Sequence, residues 1–198
     1  FIIATKVHTP VDDDTGKPTA EATQKYFLDK FETSMERLGL DYVDIIYSHA
    51  TSSKEAVLHE PTIEALKQIK KEGKARFTGI STHKNETACI EAAIASDFYD
   101  VILTAFNYQL PYHENLEAAL KKAADKGMGI VAMKVFAGNY HDKENEKPVN
   151  KSAALKWALQ HEYIHTSILT LRNFVDLQEY WGIMEDISLS REEKQDLD

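Results

Sequence analysis

The chain has 198 residues, 43% hydrophobic and 28% charged, with a formal net charge of -9. That balance is ordinary for a globular chain long enough for one sizeable core. The negative charge argues against nucleic acid or an anionic membrane as the main partner, and no apolar stretch approaches the roughly 20 residues of a membrane span. The one cysteine, Cys89, falls in a helical pattern, which rules out an internal disulfide and marks a packing residue.

Short apolar, β-branched runs alternate with longer amphipathic ones. Strands are predicted over 1–7, 42–48, 75–81, 100–106, 129–135 and 166–171, and helices over 21–38, 61–72, 84–97, 114–126, 151–161 and 174–186. A further short helix is expected from Ser190, with Glu193 three residues on as its capping partner. Phe27, Phe31, Met35 and Leu38 recur at helical spacing before Gly39. Ile63, Leu66 and Ile69 do so before Gly73, and Leu116, Leu120 and Ala123 before Gly127. Pro61 suits a first helical turn. Trp157 and Trp181 fall on apolar helix faces and are read as packing residues.

Strict strand–helix alternation implies a parallel sheet with right-handed crossovers. Strands apolar on both faces, such as DIIYS and GIVAMKV, imply a sheet covered by helices. Six such units are visible and a closed barrel needs eight. The chain opens at Phe1 in mid-strand pattern. The expected fold class is therefore α/β, an incomplete (β/α)8 TIM barrel. It would form a single partial domain over 1–198 whose first two strands, and any targeting signal, lie upstream. Such a fragment alone would leave unpaired edges and is expected to aggregate or behave as a molten species. The polar segment 138–150 follows a strand, on the side where active-site loops lie, and reads equally as a lid or a solvated insertion.

Lys6 closes the run FIIATK, and His49 closes DYVDIIYSH. An amine and an imidazole at successive strand ends suggest an acid/base site on a barrel. Two other motifs carry less. His161-Glu162-Tyr163-Ile164-His165 spells H-E-x-x-H, but zinc needs both imidazoles on one continuous helix, and the helical pattern fades here. Asp12-Asp13-Asp14-Thr15-Gly16 resembles the start of a calcium loop, but has its glycine at the wrong offset and lacks a closing glutamate. No metal is assigned. His83 is read as a structural or solvated loop residue.

With the strand ends placed, the chain resembles the aldo-keto reductases over nearly its whole length. The stretches carrying the likeness are IATK, RLGLDYVDIIYSH, EALKQIKKEGKARFTGIST, GIVAMKVFAG, and ALKWALQ with SILTLRN. The resemblance implies reduction of an aldehyde or ketone by hydride from NADP(H) or NAD(H). The partner would be a small carbonyl substrate, and the enzyme cytoplasmic unless an upstream signal exports it. It makes Lys6 the lysine that lowers the pKa of a proton-donating tyrosine and His49 the histidine that orients the carbonyl. The tyrosine and the lysine's aspartate partner would lie upstream of Phe1. It also implies cofactor contacts at Ser81 and Thr82, Asn107, Met133, Lys134, Thr170, Arg172 and Asn173.

The AMK of 132–134, the STH of 81–83 and the terminal LSREEKQDLD resemble a bacterial branch that often carries a C-terminal iron–sulfur segment. No cluster-forming cysteines are present in this sequence. The chain departs from the family at several positions. Leu169-Thr170 replaces a Pro-Gly, Leu103 stands where a glutamine is usual, and Met133 where an aromatic ring often stacks. Asp176 occupies a position often basic in NADP-preferring members. These departures favour an alternative, a catalytically impaired barrel that binds nucleotide or a protein partner without turnover.

Overall fold

The computed structural model describes residues 1–111, 113–136 and 149–197. Its elements follow in the order β1 (Ala4–His8), α1 (Gln24–Leu38), β2 (Val43–His49), α2 (Lys54–Val57), α3 (Glu60–Lys71), β3 (Ala75–Thr82) and α4 (Glu86–Ser96). The second half continues with β4 (Val101–Ala105), α5 (His113–Asp125), β5 (Gly129–Met133), α6 (Lys151–Leu159), β6 (Thr166–Ser167), α7 (Phe174–Ile183) and α8 (Arg191–Leu197). The strands form one parallel sheet in the order β1-β2-β3-β4-β5-β6. This is the architecture of six consecutive units of a β/α barrel.

Period-2 alternation assigns the two faces. Val7, Ile46, Ile80, Ile102 and Ile130 point to the helix layer, each at most 2% exposed. Burying each contributes about 1.5–3 kcal/mol. They meet Phe27 and Phe31 of α1, Leu66 and Ile69 of α3, Ile90 of α4, and Leu116 and Leu120 of α5 in one core. The opposite, inner face carries a smaller cluster of Tyr47, Val101, Leu103 and Val131, with Ile45, Phe77 and Met133 packed against it. Gly79 sits within this inner face opposite Tyr47 and Val101. A Cβ there would lie 2.5 Å from the Val101 carbonyl oxygen and 2.7 Å from the Tyr47 ring, so glycine is what lets the ring cross β3.

Local signals explain most boundaries. Thr23 caps α1 by accepting from Tyr26 N, and Gly39 ends it in the left-handed conformation (φ 64). Pro61 stands in the first turn of α3. Ser190 accepts from Glu193 N at 3.1 Å while Glu193 accepts from Ser190 N at 2.8 Å, a capping box for α8. Glu193 also pairs with Lys156 of α6 at 2.8 Å. No described helix is long and apolar enough to cross a membrane.

The structure differs from the sequence reading at three places. The last strand is two residues, Thr166–Ser167, rather than 166–171, because it pairs only with Val131 and Ala132 of β5 before the chain turns. A short helix, α2, follows Ser53, whose hydroxyl accepts from Ala56 N. Trp157 packs as expected, stacked on Phe106 at 5.0 Å. Trp181 does not, and is 72% exposed together with Phe174 and Val175 on the edge-lying α7. The segment 138–150 lies, up to residue 148, outside the described residues; Asn150 caps α6.

Candidate active site

The C-terminal ends of the parallel strands define the rim where barrel chemistry is built. Register places the rim residues. Lys6 is opposite Tyr47 and His8 opposite His49, all four on the inner face. Strand β1 thus runs two residues beyond Lys6, so the direct neighbour of His49 is His8, and Lys6 lies one inner-face position below. The His8 and His49 rings meet edge-on with centroids 6.0 Å apart. Burial, then the nearby Lys6, His8 and His83, hold the His49 imidazole below the usual histidine pKa. His49 therefore stays neutral near pH 7, with one N–H to donate. Beneath it, Tyr47 is 2% exposed, and burial pushes its phenol up to about 12.

The chain leaves β2 through Ala50 in the left-handed region (φ 56). For an L residue this costs about 1–2 kcal/mol. Thr51 holds the turn, donating from its N–H to the Ser81 carbonyl at 2.9 Å and from Oγ1 at 3.3 Å. The same device recurs after β5. Lys134 is left-handed (φ 54), and its carbonyl accepts from Asn107 Nδ2 at 3.2 Å. Both strained residues directly follow inner-face rim residues, His49 and Met133, which is where stored strain gathers in functional sites.

The other sequence-predicted residues fall as follows. Ser81 is on the inner face, opposite Leu103. It is 1% exposed, and its Oγ is buried without a hydrogen-bond partner among the described residues. Met133 ends β5 on the same face, half-buried and opposite Ala105. Thr82 points the other way, into the helix layer, where its hydroxyl donates to the Lys84 carbonyl at 3.0 Å. Asn107 is buried just past β4 and also accepts from Gln109 N at 3.1 Å. Thr170, Arg172 and Asn173 lie exposed before α7. Asn173 caps that helix by accepting from Asp176 N at 2.9 Å, and Asp176 accepts from Arg172 N at 3.0 Å. Asp176 is thus a buried capping carboxylate, 3.7 Å from Lys151 Nζ.

The inner face accordingly gathers Lys6, His49, Ser81 and Met133. Thr82 is turned away, and Thr170, Arg172 and Asn173 form a separate group at α7. Sequence reasoning did not single out His8; the signal was its place two residues after Lys6, hence on the same strand face. The H-E-x-x-H residues sit past the end of α6, where His161 Nδ1 is 2.9 Å from the Trp157 carbonyl and His165 Nδ1 accepts from Ile130 N at 3.0 Å. Asp12 spends its carboxylate on its own turn, accepting from Thr15 N at 2.8 Å and Thr15 Oγ1 at 2.7 Å. Cys89 is fully buried, and burial pushes its thiol up to about 11.

The parallel β/α sheet thus carries an amine and an imidazole on its inner face, near the C-terminal ends of adjacent strands. The family model described as the aldo/keto reductase family matches residues 1–153, and the chain belongs to that family. Among curated relatives, L-glyceraldehyde 3-phosphate reductase of Escherichia coli K12 is 39% identical over 64 residues, 32% of this chain and 18% of that protein. L-galactose dehydrogenase of Arabidopsis thaliana is 33% identical over 109 residues, 54% of this chain and 34% of that protein. The chain thus spans about a third or less of these relatives' length. Among solved structures, an aldo-keto reductase from Bacillus halodurans in its holo form superposes with a TM-score of 0.73 at 18% identity, covering 99% of this chain and 71% of that one. A thermostable aldo-keto reductase bound to the inhibitor epalrestat gives 0.71 at 18% identity, covering 98% and 69%. These likenesses establish the barrel fold.

Proposed function

We infer that this protein reduces an aldehyde or ketone to an alcohol with a nicotinamide cofactor, NADPH or NADH. The observation that carries this reading is the convergence of Lys6, neutral His49 and the unpartnered Ser81 hydroxyl on one face of three adjacent strands. A buried hydroxyl without a partner costs about 1–3 kcal/mol, and a cofactor amide placed against it would recover that. Ser81 and Met133 would hold the nicotinamide end. The bound cofactor supplies the hydride. His49 donates its N–H to the carbonyl oxygen and orients it; Lys6 lowers the pKa of the group that protonates that oxygen.

One observation favours a second reading, binding without turnover. The amide of Arg172, before α7, already donates to Asp176, and Asn173 already caps the helix, so fewer donors remain there for a cofactor phosphate. Fluorescence titration of the protein with NADPH and NADH, followed by aldehyde-dependent oxidation of the bound nucleotide, separates the outcomes. Saturable quenching or enhancement with at least one is expected; no binding of either sinks the reductase reading.

A further inference from the structure

Thr9 follows His8 and faces the other way. The His8 ring turns to the inner rim, where it meets His49, and alternation carries Thr9 toward the helix layer on the Val7 side. There Thr9 Oγ1 lies 3.4 Å from Thr62 Oγ1, and both threonines are buried. Thr62 Oγ1 in turn lies 3.0 Å from His59 Nδ1. A half-buried imidazole in the helix layer is thus joined, through two buried hydroxyls, to the strand that carries Lys6 and His8.

Both ends of this chain are anchored. His59 opens α3, its carbonyl accepting from Thr62 N at 3.1 Å and from Ile63 N at 3.0 Å. Its side chain makes no capping bond, so Nδ1 is left to Thr62. Beyond Thr9, the Pro10 carbonyl accepts from Thr19 N at 3.0 Å, and the Val11–Pro18 bridge closes the loop. Among the described residues, Thr9 Oγ1, Thr62 Oγ1 and the His59 ring have no hydrogen-bond partners outside the chain.

Proton count allows two arrangements. With His59 neutral and its proton on Nε2, Nδ1 accepts from the Thr62 hydroxyl, which accepts from Thr9. Every hydroxyl proton then has an acceptor. With His59 charged, Nδ1 must donate to Thr62. The Thr62 proton turns to Thr9, and the buried Thr9 proton loses its acceptor, which is unfavourable. Burial holds the His59 imidazole below the usual histidine pKa. The segments around it carry Glu21 before α1, Lys54 on α2, Glu60 on α3, the Lys17–Glu55 pair at 3.0 Å and the Lys67–Glu64 pair at 2.7 Å. None of these contributes to that shift, and His8, the nearest titratable group of β1, is turned to the other face.

We propose that Thr62 and His59 are positioning residues for the rim end of β1, and that the chain from His59 through Thr62 to Thr9 reverses when His59 takes up a proton, loosening the strand beside His8. The rim of the site is then coupled to the protonation of a histidine that never touches it. Only the kinetic readout of this proposal rests on the reductase reading.

The test follows the ring resonances of His8 and His59 by NMR between pH 8 and pH 5. His8 is expected to report two events, its own titration and that of His59. Thr62→Val keeps nearly the same side-chain volume and removes the hydroxyl, so His59 still titrates while its event disappears from the His8 curve. His59→Gln removes the event as well. An event lost in His59→Gln but kept in Thr62→Val is the charge acting through space, and overturns the relay. A His8 curve unchanged in both variants overturns it too. Thr9→Val, at the far end of the chain, gives the same readout as Thr62→Val and decides the matter if that variant does not fold. Kinetics read the consequence. For butanal, kcat/KM falls about two- to tenfold as His59 charges, the size of one hydrogen bond. Thr62→Val starts lower at pH 8 and lacks that step, while keeping the fall that belongs to His49. Identical pH profiles in the two proteins overturn the positioning role. The His8 event without any aldehyde turnover leaves the relay standing and overturns the reductase reading instead.

Discussion

Gly79→Ala probes the floor of the site. The new methyl carbon would sit 2.5 Å from the Val101 carbonyl oxygen and 2.7 Å from the Tyr47 ring. The carbonyl belongs to the neighbouring strand, and the ring is 2% exposed within the inner-face cluster. Neither can retreat cheaply, so the cost belongs at the upper end of overpacking effects, about 3 kcal/mol. For a protein of this size or larger, each kcal/mol shifts Tm by roughly 2–4 °C, so a fall of roughly 6–12 °C is expected. Thermal unfolding of the native protein, followed by circular dichroism, measures it. Displacing the ring also disturbs Lys6, which lies opposite Tyr47 in the register, so carbonyl reduction should fall with stability. Adding Tyr47→Val relieves the ring clash but not the carbonyl clash, and the two changes should couple by on the order of 1 kcal/mol. A Gly79→Ala protein melting within about 2 °C of wild type would refute the packing argument.

Three further outcomes are expected. Asp100 Oδ2 accepts from Thr78 N at 2.8 Å, from Thr78 Oγ1 at 3.1 Å and from Lys70 Nζ at 2.7 Å. Asp100→Ala leaves the buried Thr78 N–H unpaired and its hydroxyl with only the Phe98 carbonyl at 3.5 Å, and should cost about 2–3 kcal/mol in urea unfolding, more than Lys70→Ala. His49 has a lowered pKa in the folded state, so below about pH 6.5 the unfolded chain binds more protons and stability falls with acidification. His49→Gln should make Tm decline less steeply between pH 7 and pH 5; an identical slope contradicts the assignment. Cys89, with its thiol raised to about 11, should resist a thiol reagent at pH 8 in the native protein and react on unfolding.

The alternation of units was legible because each helix announces its apolar stripe and its stop. Gly39, Gly73 and Gly127 all adopt positive φ where the predicted helices end. The strand predicted over 166–171 is shorter in the structure because β-branched composition cannot reveal that only two of its residues find a partner on β5. Helix α2 spans four residues, too few for periodicity, leaving Ser53 as its sole signal. At the site, strand alternation alone already separates Ser81 from Thr82, since successive side chains face opposite sides. Pairing His8 with His49 needed the register between β1 and β2, which is a property of two segments 41 residues apart and not of either one.

Lys6 and His49 are proposed to support carbonyl reduction. Aldehyde-dependent oxidation of the bound nicotinamide, followed by stopped-flow fluorescence, tests it in the native protein and in Lys6→Met. Wild type should oxidise the cofactor only when aldehyde is added, and Lys6→Met should bind the cofactor yet turn over at least about a hundredfold more slowly. Equal rates in the two proteins, with the cofactor bound in both, would contradict the account.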